Sequence, residues 1–169
     1  YGLWIYIDAW TSGQKHIFTR NGNINLSLDG NSPTLKCDIT TVASTASDVA
    51  VTVPIEITNN FPIQKWTYVA INVDNSYVDC YLDGKLVKSK LVQDGNSNPP
   101  LSPIKDSPII LGSIQARISK FKYWNNSVNP EDIWTTYKEG NGQSTIMNRI
   151  SSYSTDITIL KDGVEYLSF

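Results

Sequence analysis

Trp66-Thr67-Tyr68-Val69-Ala70-Ile71-Asn72-Val73, then Asp74-Asn75, then Ser76-Tyr77-Val78-Asp79-Cys80-Tyr81-Leu82, then Asp83-Gly84, follow one another without a break. The two long segments are rich in Val, Ile, Tyr and Trp and carry a period-two alternation, the pattern of strands with one buried face. The two short segments are turn chemistry, because Asn, Asp and Gly tolerate the left-handed backbone that a two-residue hairpin loop demands. The stretch predicts a hairpin over 66–82 and a second tight turn at Asp83-Gly84, which leads into a third antiparallel strand over Lys85 to Val92. A meander of this kind points to an all-β fold.

The same alternation extends in both directions. On the N-terminal side, Leu3, Ile5 and Ile7 alternate with Trp4, Tyr6 and Asp8, a strand with large aromatics on its second face. Asn21-Gly22-Asn23 reads as a turn, Ile24, Leu26 and Leu28 as a strand, and Asp29-Gly30-Asn31-Ser32-Pro33 as its end. Further strands are expected within 34–58, apart from the patternless Thr/Ser/Ala stretch from Thr40 to Ser47. On the C-terminal side, the Gly, Asn, Ser and Pro content of 93–108 marks a long surface loop, and loops of that length are commonly functional. Strands are predicted at about Pro108 to Leu111 and Ala116 to Trp124.

One short helix is expected. Asn129 fits the N-cap, Pro130 the first helical position, and Glu131 and Asp132 complement the helix dipole. Ile133, Trp134 and Tyr137 share a face, and Gly140 stops the helix. Thr155 to Leu160, the turn Lys161-Asp162-Gly163 and Val164 to Phe169 form a terminal hairpin. No internal repeat or linker interrupts the chain. A single domain over 1–169 is expected, an antiparallel β-sandwich in which 141–169 supply an extra C-terminal hairpin.

Composition agrees with a globular domain. The chain has 169 residues with 40% hydrophobic and 18% charged, enough to enclose a core without staples. A net charge of -2 gives no electrostatic reason to expect nucleic acid as a partner. No apolar run approaches the roughly 18–20 residues of a membrane-spanning helix. The chain opens Tyr1-Gly2-Leu3-Trp4 without Met or a signal-like region, so it is expected to be a fragment, a processed product or the ordered part of something longer. Cys37 and Cys80 both fall in inward-pointing alternations, Leu35/Cys37/Ile39 and Val78/Cys80/Leu82. Two buried free thiols in a reducing compartment is one reading, and a disulfide between them in an oxidising compartment is the other.

Four stretches, in order, carry a family resemblance. Leu3-Trp4-Ile5-Tyr6-Ile7 resembles the opening strand of laminin-G-like domains. The stretch from Phe61 to Ile71 is similar to the strand before that family's signature hairpin, and Tyr77 to Val87 to the strand and turn that follow. Ile118 to Asn125 with Val128 to Ile133 resembles the closing strand and helix. Together they cover roughly residues 1 to 140 and imply a concanavalin A-like, laminin-G-like sandwich or jelly roll. The wording of Ile55 to Trp66 resembles laminin-G-like proteins of large double-stranded DNA viruses, which implies a virion-associated protein. Two departures stand out: the family's first strand is missing before Tyr1, and 141–169 extend past its usual end. Thr155 to Leu160 or Val164 to Phe169 is expected to pair into the sandwich and close the edge left open, with strand addition to a neighbouring subunit as the rival.

Catalytic chemistry is not expected. Glucanases on this fold carry paired carboxylates on one strand, and no Glu-x-Asp-x-x-Glu run occurs here. Glu56, Glu131, Glu139 and Glu165 are isolated, and the one histidine, His16, lies near the first turn without a nucleophile in recognisable context. No cofactor is expected, except that laminin-G-like domains often hold Ca2+ at a loop edge through Asp carboxylates and main-chain carbonyls, so the resemblance leaves a Ca2+ site open. Asp29, Asp74, Asp94 and Asp106 are the candidates, and all four also occupy positions where Asp stabilises turns. Trp10, Tyr77, Tyr123 and Trp124 form a sugar-stacking platform if exposed, whereas Trp66 and Trp134 are expected in the core. Asn25-Leu26-Ser27 and Asn125-Asn126-Ser127 match the N-glycosylation pattern, which is short enough to arise by chance.

Two functions remain. The first is a structural or assembly module, a minor capsid or other virion-associated protein that contacts its neighbours in the particle. The second is a glycan-binding lectin module for surface attachment, extracellular or surface-exposed.

Overall fold

In the computed structural model the described residues are 1–13, 15–43, 50–142 and the backbone of 158–161 and 164–168. In chain order the strands are β1 (Gly2–Ile7), β2 (Lys15–Arg20), β3 (Ile24–Leu28), β4 (Leu35–Thr40), β5 (Thr52–Thr58), β6 (Thr67–Asp74), β7 (Tyr77–Leu82) and β8 (Lys85–Leu91). They are followed by β9 (Ile109–Leu111), β10 (Ala116–Lys122), the helix α1 (Pro130–Lys138), β11 (Thr158–Lys161) and β12 (Val164–Ser168). Two five-stranded antiparallel sheets form the sandwich, ordered β10-β1-β6-β7-β8 and β5-β4-β3-β2-β9.

The signature hairpin forms as expected. Asp74 pairs with Tyr77 and Leu82 with Lys85, so both loops hold two residues. Asn75 sits at φ 52, Asp83 at φ 48 and Gly84 at φ 75, the left-handed region these residue types were chosen for. Alternation then sorts the side chains. Leu3, Ile5, Ile7, Val69, Ile71, Val78 and Cys80 enter the inter-sheet core opposite Ile17, Phe18, Leu26, Leu35, Cys37, Ile39 and Ile55. Both cysteines are free and fully buried. Burial pushes both thiols up, Cys80 to about 12, so they stay protonated and pack as small apolar groups.

The opposite face of the first sheet is not left to water. Trp4, Tyr68, Ala70 and Tyr81 gather there with Ile133 of α1 in a second apolar cluster. The helix begins as its sequence demands: the Asn129 side chain accepts from the Asp132 N–H at 2.8 Å, Pro130 leads, and Gly140 leaves it at φ 70. A nine-residue helix is marginal alone. Ile133, 1% exposed, anchors it with about 1.5–3 kcal/mol of apolar burial.

Four expectations are corrected. His16 lies on β2, a strand not anticipated, because a register shift between His16 and Phe18 turns Ile17 and Phe18 both inward and breaks the alternation. Trp134 is 39% exposed; it caps the second hairpin turn, where a Cβ on Gly84 would lie 2.6 Å from its ring. Trp66 precedes β6 and is only partly buried, packed against Tyr6 with ring centroids 5.7 Å apart. The terminal strands pair with each other as a separate two-stranded sheet and join neither large sheet, so neither of them closes an edge of the sandwich. The start of the expected strand at Thr155, the turn residues Asp162 and Gly163, and Phe169 lie outside the described residues.

Gly84→Ala tests this turn. The left-handed backbone and the Trp134 contact together should cost about 1–3 kcal/mol, read as a lowered urea midpoint at unchanged slope. The same substitution in a Trp134→Ala background should cost less. An unchanged midpoint in the single variant would contradict the turn geometry.

Candidate functional site

A concavity of about 660 Å3 opens where loops from both sheets meet. Its walls come from four places: the end of β6 and its turn (Asn72, Asn75, Ser76), the 97–103 loop, Tyr1 with Asn23, and the segment Tyr123 to Val128 that links β10 to α1. No Asp, Glu, Lys or Arg lines it; asparagine and serine side chains surround Tyr123 and Trp124. Amides and hydroxyls both donate and accept, which suits a neutral, hydroxyl-bearing ligand.

These walls are held in place. The 93–108 loop, expected as a long surface loop, is tethered: Leu101 N–H donates to Thr40 O at 2.7 Å, Val42 N–H to Pro99 O at 2.9 Å, and the Asn23 amide to Leu101 O. Asp94 accepts from the N–H groups of Asn96 and Asn98, and from the Asn98 side chain at 2.7 Å, folding the loop tip on itself. Arg20 is a strut: its Nε donates to Ser107 Oγ at 2.9 Å while the guanidinium lies 4.7 Å over the Tyr123 ring. Val128 N–H donates to Asn72 Oδ1 at 2.8 Å, pinning the 123–128 segment to β6. Nothing in the sequence marks Asn72, Arg20 or Asn23 as neighbours, since each is more than forty residues from the segment it supports.

Of the four aromatics expected to form a sugar platform, two come together. Tyr123, 38% exposed, and Trp124 line the cavity, and Trp124 also walls a second one of about 470 Å3 beside α1. Trp10 instead packs on the main core under Lys15, whose Nζ is 3.9 Å from the ring. Tyr77, 55% exposed, stands opposite Leu91 on the outer face of the first sheet.

The four candidate calcium ligands sit apart: Asp74 is the last residue of β6, and Asp29, Asp94 and Asp106 lie in three separate loops. Asp29 is paired with Lys36 at 2.6 Å and accepts from Asn31 N–H; Asp74 accepts from the Asn75 amide at 3.1 Å; Asp94 is described above; Asp106 takes φ 62 in its loop. Among the described residues no three His, Cys, Asp or Glu converge as a metal-ligand group. Of the glutamates weighed as catalytic, Glu56 lies on β5, Glu131 in the first turn of α1 and Glu139 at its C-cap; the side chain of Glu165 is outside the described residues. His16 Nδ1 lies 3.1 Å from Asn25 Oδ1, and the Asn25 amide donates to Asp38 at 3.2 Å, a polar row on the solvent face of β2–β4. The first glycosylation pattern is therefore engaged within a sheet, and the second lies on the cavity rim.

The order of elements, the helix over the first sheet and the matched segment decide the family: residues 1–134 match the family described as the concanavalin A-like lectin/glucanases superfamily. The chain belongs to that superfamily. No curated protein matches the sequence. Among solved structures, this superfamily member is similar to the receptor binding domain of botulinum neurotoxin mosaic serotype C/D, at 17% identity and TM-score 0.58 over 82% of this chain and 35% of that one. It is also similar to a protein described as a candidate carbohydrate binding protein from Bacteroides ovatus, at 14% identity and TM-score 0.57 over 79% and 39%. A third is the botulinum neurotoxin serotype D ligand binding domain in complex with N-acetylneuraminic acid, at 16% identity and TM-score 0.50 over 82% and 35%. At these identities the likeness is one of fold. The chain spans little more than a third of the length of these structures.

The Asp29 pair gives a pH test. The Lys36 ammonium, helped by the Asn31 N–H, holds the Asp29 carboxyl down at about 2. Its folded value is depressed, so the stabilisation is fully present above the ordinary carboxylate value and is lost as pH falls toward 2. Carbon-detected NMR titration should find that low midpoint, and Lys36→Met should raise it toward the ordinary range. An ordinary midpoint in the native chain would contradict the pair.

Proposed function

We propose that this chain is a non-catalytic binding module whose ligand is a neutral glycan held in the loop-end cavity. The observation that carries this is the lining: Tyr123 and Trp124 amid asparagine and serine side chains, with no charged residue. Aromatic faces take the apolar face of a sugar, while amides and hydroxyls match its hydroxyl groups. The superfamily and the fold-level likeness to domains named for receptor and carbohydrate binding support the same class. The absence of a paired-carboxylate motif in the sequence supports a non-catalytic role. A contribution from Ca2+ at Asp29, Asp74, Asp94 or Asp106 is part of the experiment.

A second reading, assembly within a virus particle, rests on a different surface. Tyr77, Leu86, Val87 and Leu91 are all 43–55% exposed on β7 and the edge strand β8. Exposed apolar side chains grouped beside an unpaired strand edge favour a protein contact. In that reading residues 1–169 act as one unit and the contact is with other capsid or virion proteins.

A glycan array run with and without chelator, beside co-purification with particles, separates the two. Saturable binding to neutral glycans is expected, reduced at least tenfold by Asn75→Gly and by Asn125→Ala, with thermal midpoints unchanged. Asn75→Gly keeps the left-handed turn while removing the amide. Stoichiometric recovery in particles without any glycan binding would sink the lectin reading and favour assembly. Chelator sensitivity would bring in the calcium site.

A further inference from the structure

A small cavity of about 220 Å3 lies on the helix-covered face of the first sheet, apart from the loop-end cavity. It is lined by Trp4 of β1, Tyr68 of β6, Lys120, Phe121 and Lys122 of β10, and Thr136 and Glu139 of the helix end. Two of the residues that line it carry an unmet hydrogen-bonding group. Trp4 is 7% exposed and Tyr68 1% exposed, and neither Trp4 Nε1 nor the Tyr68 hydroxyl has a partner. Buried polar atoms are nearly always satisfied, and leaving one unmet costs about 1–3 kcal/mol. Two such groups beside one cavity point to an occupant.

The chemistry of the walls limits what that occupant can be. Indole Nε1–H donates only, and a lysine ammonium donates only. Burial, with Glu139 nearby, pushes the Tyr68 phenol up to about 12, so it keeps its proton and can donate as well. Thr136 Oγ1 already donates to Asp132 O. Lys120 donates to the Glu139 carbonyl at 3.2 Å, and Lys122 lies 5.0 Å over the Trp124 ring. With two lysines against the single carboxylate of Glu139, the walls carry one net positive charge. A β-bulge contributes to this. The register shift between Gly2 and Trp4 falls at Lys120, at φ 46, and adds an extra residue to β10 while Phe121 still packs on the core.

We propose that this cavity binds a small carboxylate-bearing ligand of monosaccharide size or less, its oxygens accepting from Trp4 Nε1–H, the Tyr68 hydroxyl and Lys122. Trp4 Nε1 and the Tyr68 hydroxyl have almost no accessible surface, so a ligand reaches them only as the surrounding side chains, among them the exposed Lys122 and Glu139, move aside. The carboxylate can belong to a free acid or to an acidic sugar. This site does not rest on the glycan reading of the loop-end cavity.

The Trp4 indole N–H is a direct reporter. In proton–nitrogen NMR spectra of the labelled chain its signal is identified by its loss in Trp4→Phe. Titration at constant ionic strength uses sodium glucuronate, sodium acetate and glucose. A saturable downfield shift with glucuronate, and none with glucose, is expected. Acetate binding as tightly as glucuronate would identify a free acid as the ligand; acetate at least tenfold weaker would identify the acidic sugar. Tyr68→Phe and Lys122→Gln should each weaken binding at least tenfold, and Glu139→Gln should tighten it at least twofold by removing the one opposing charge. Lys122 and Glu139 are exposed, so these two variants keep the test usable even if Tyr68→Phe fails to fold. No shift with either acid, which would mean that water alone fills the cavity, overturns the proposal. So does an equal shift with glucose, or weakened binding in Glu139→Gln.

Discussion

β1 is buried on both of its faces, and most of the molecule follows from that constraint. Leu3, Ile5 and Ile7 have no exposed surface on the inter-sheet side, while Trp4 on the other side is 7% exposed. A strand with one face on a second sheet needs another element for its remaining apolar face. That element is α1, reached only after β10 has paired along the free side of β1. The chain must therefore cross the end of the sandwich between Lys122 and Pro130, and this crossing builds a wall of the loop-end cavity. Small residues make room for it. Gly2 passes beneath Trp124 and the Tyr68 hydroxyl so closely that an added Cβ would lie 2.5 Å from that oxygen.

The outer face of the second sheet follows the opposite logic. Among the described residues no helix covers it, and the outward positions of β2 to β5 are polar: His16, Asn25, Lys36, Asp38 and Glu56. The edges are managed rather than hidden. β8 carries Lys85, Lys88 and Lys90, and Lys90 Nζ donates across to Pro54 O of β5 at 2.8 Å, joining two edge strands of opposite sheets. Lysines along an edge discourage unwanted strand addition. The apolar side chains that remain exposed beside them, Tyr77, Leu86 and Leu91, are thus the places where a chosen partner has something to bury.

How far the sequence reveals this depends on the range of each interaction. The hairpin at 67–82, the Asp83-Gly84 turn and the Asn129 cap are written in neighbouring residues, and the structure places them within a residue or two of expectation. β2 was hidden because its bulge puts Ile17 and Phe18 on one side, while Lys15 and Arg20, normally signs of a surface, are 4% and 9% exposed through contacts with Trp10, Tyr123 and Ser107. Trp134 looked like core by its helical spacing, but the helix seats Ile133 inward and leaves the indole over Gly84. The site was half legible. Tyr123 and Trp124 were visible as aromatics, whereas Asn72, Asn75 and Ser97 reach them only because folding brings distant parts of the chain together. Trp4 and Tyr68 looked like ordinary core aromatics, because an unmet hydrogen bond has no signature in sequence.

Covering the second face of the first sheet also fixes the loop-end cavity. Native-state hydrogen exchange of the Val128 amide tests it most directly, since this loop N–H donates to Asn72 Oδ1 on β6 at 2.8 Å. If the claim holds, Val128 exchanges with nearly the same opening free energy as Val69 and Ile71 on the strand it is tied to, and Ile133→Ala accelerates it far more than it accelerates Leu26. Rapid exchange of Val128 at the rate of an open loop, with or without that substitution, would contradict it.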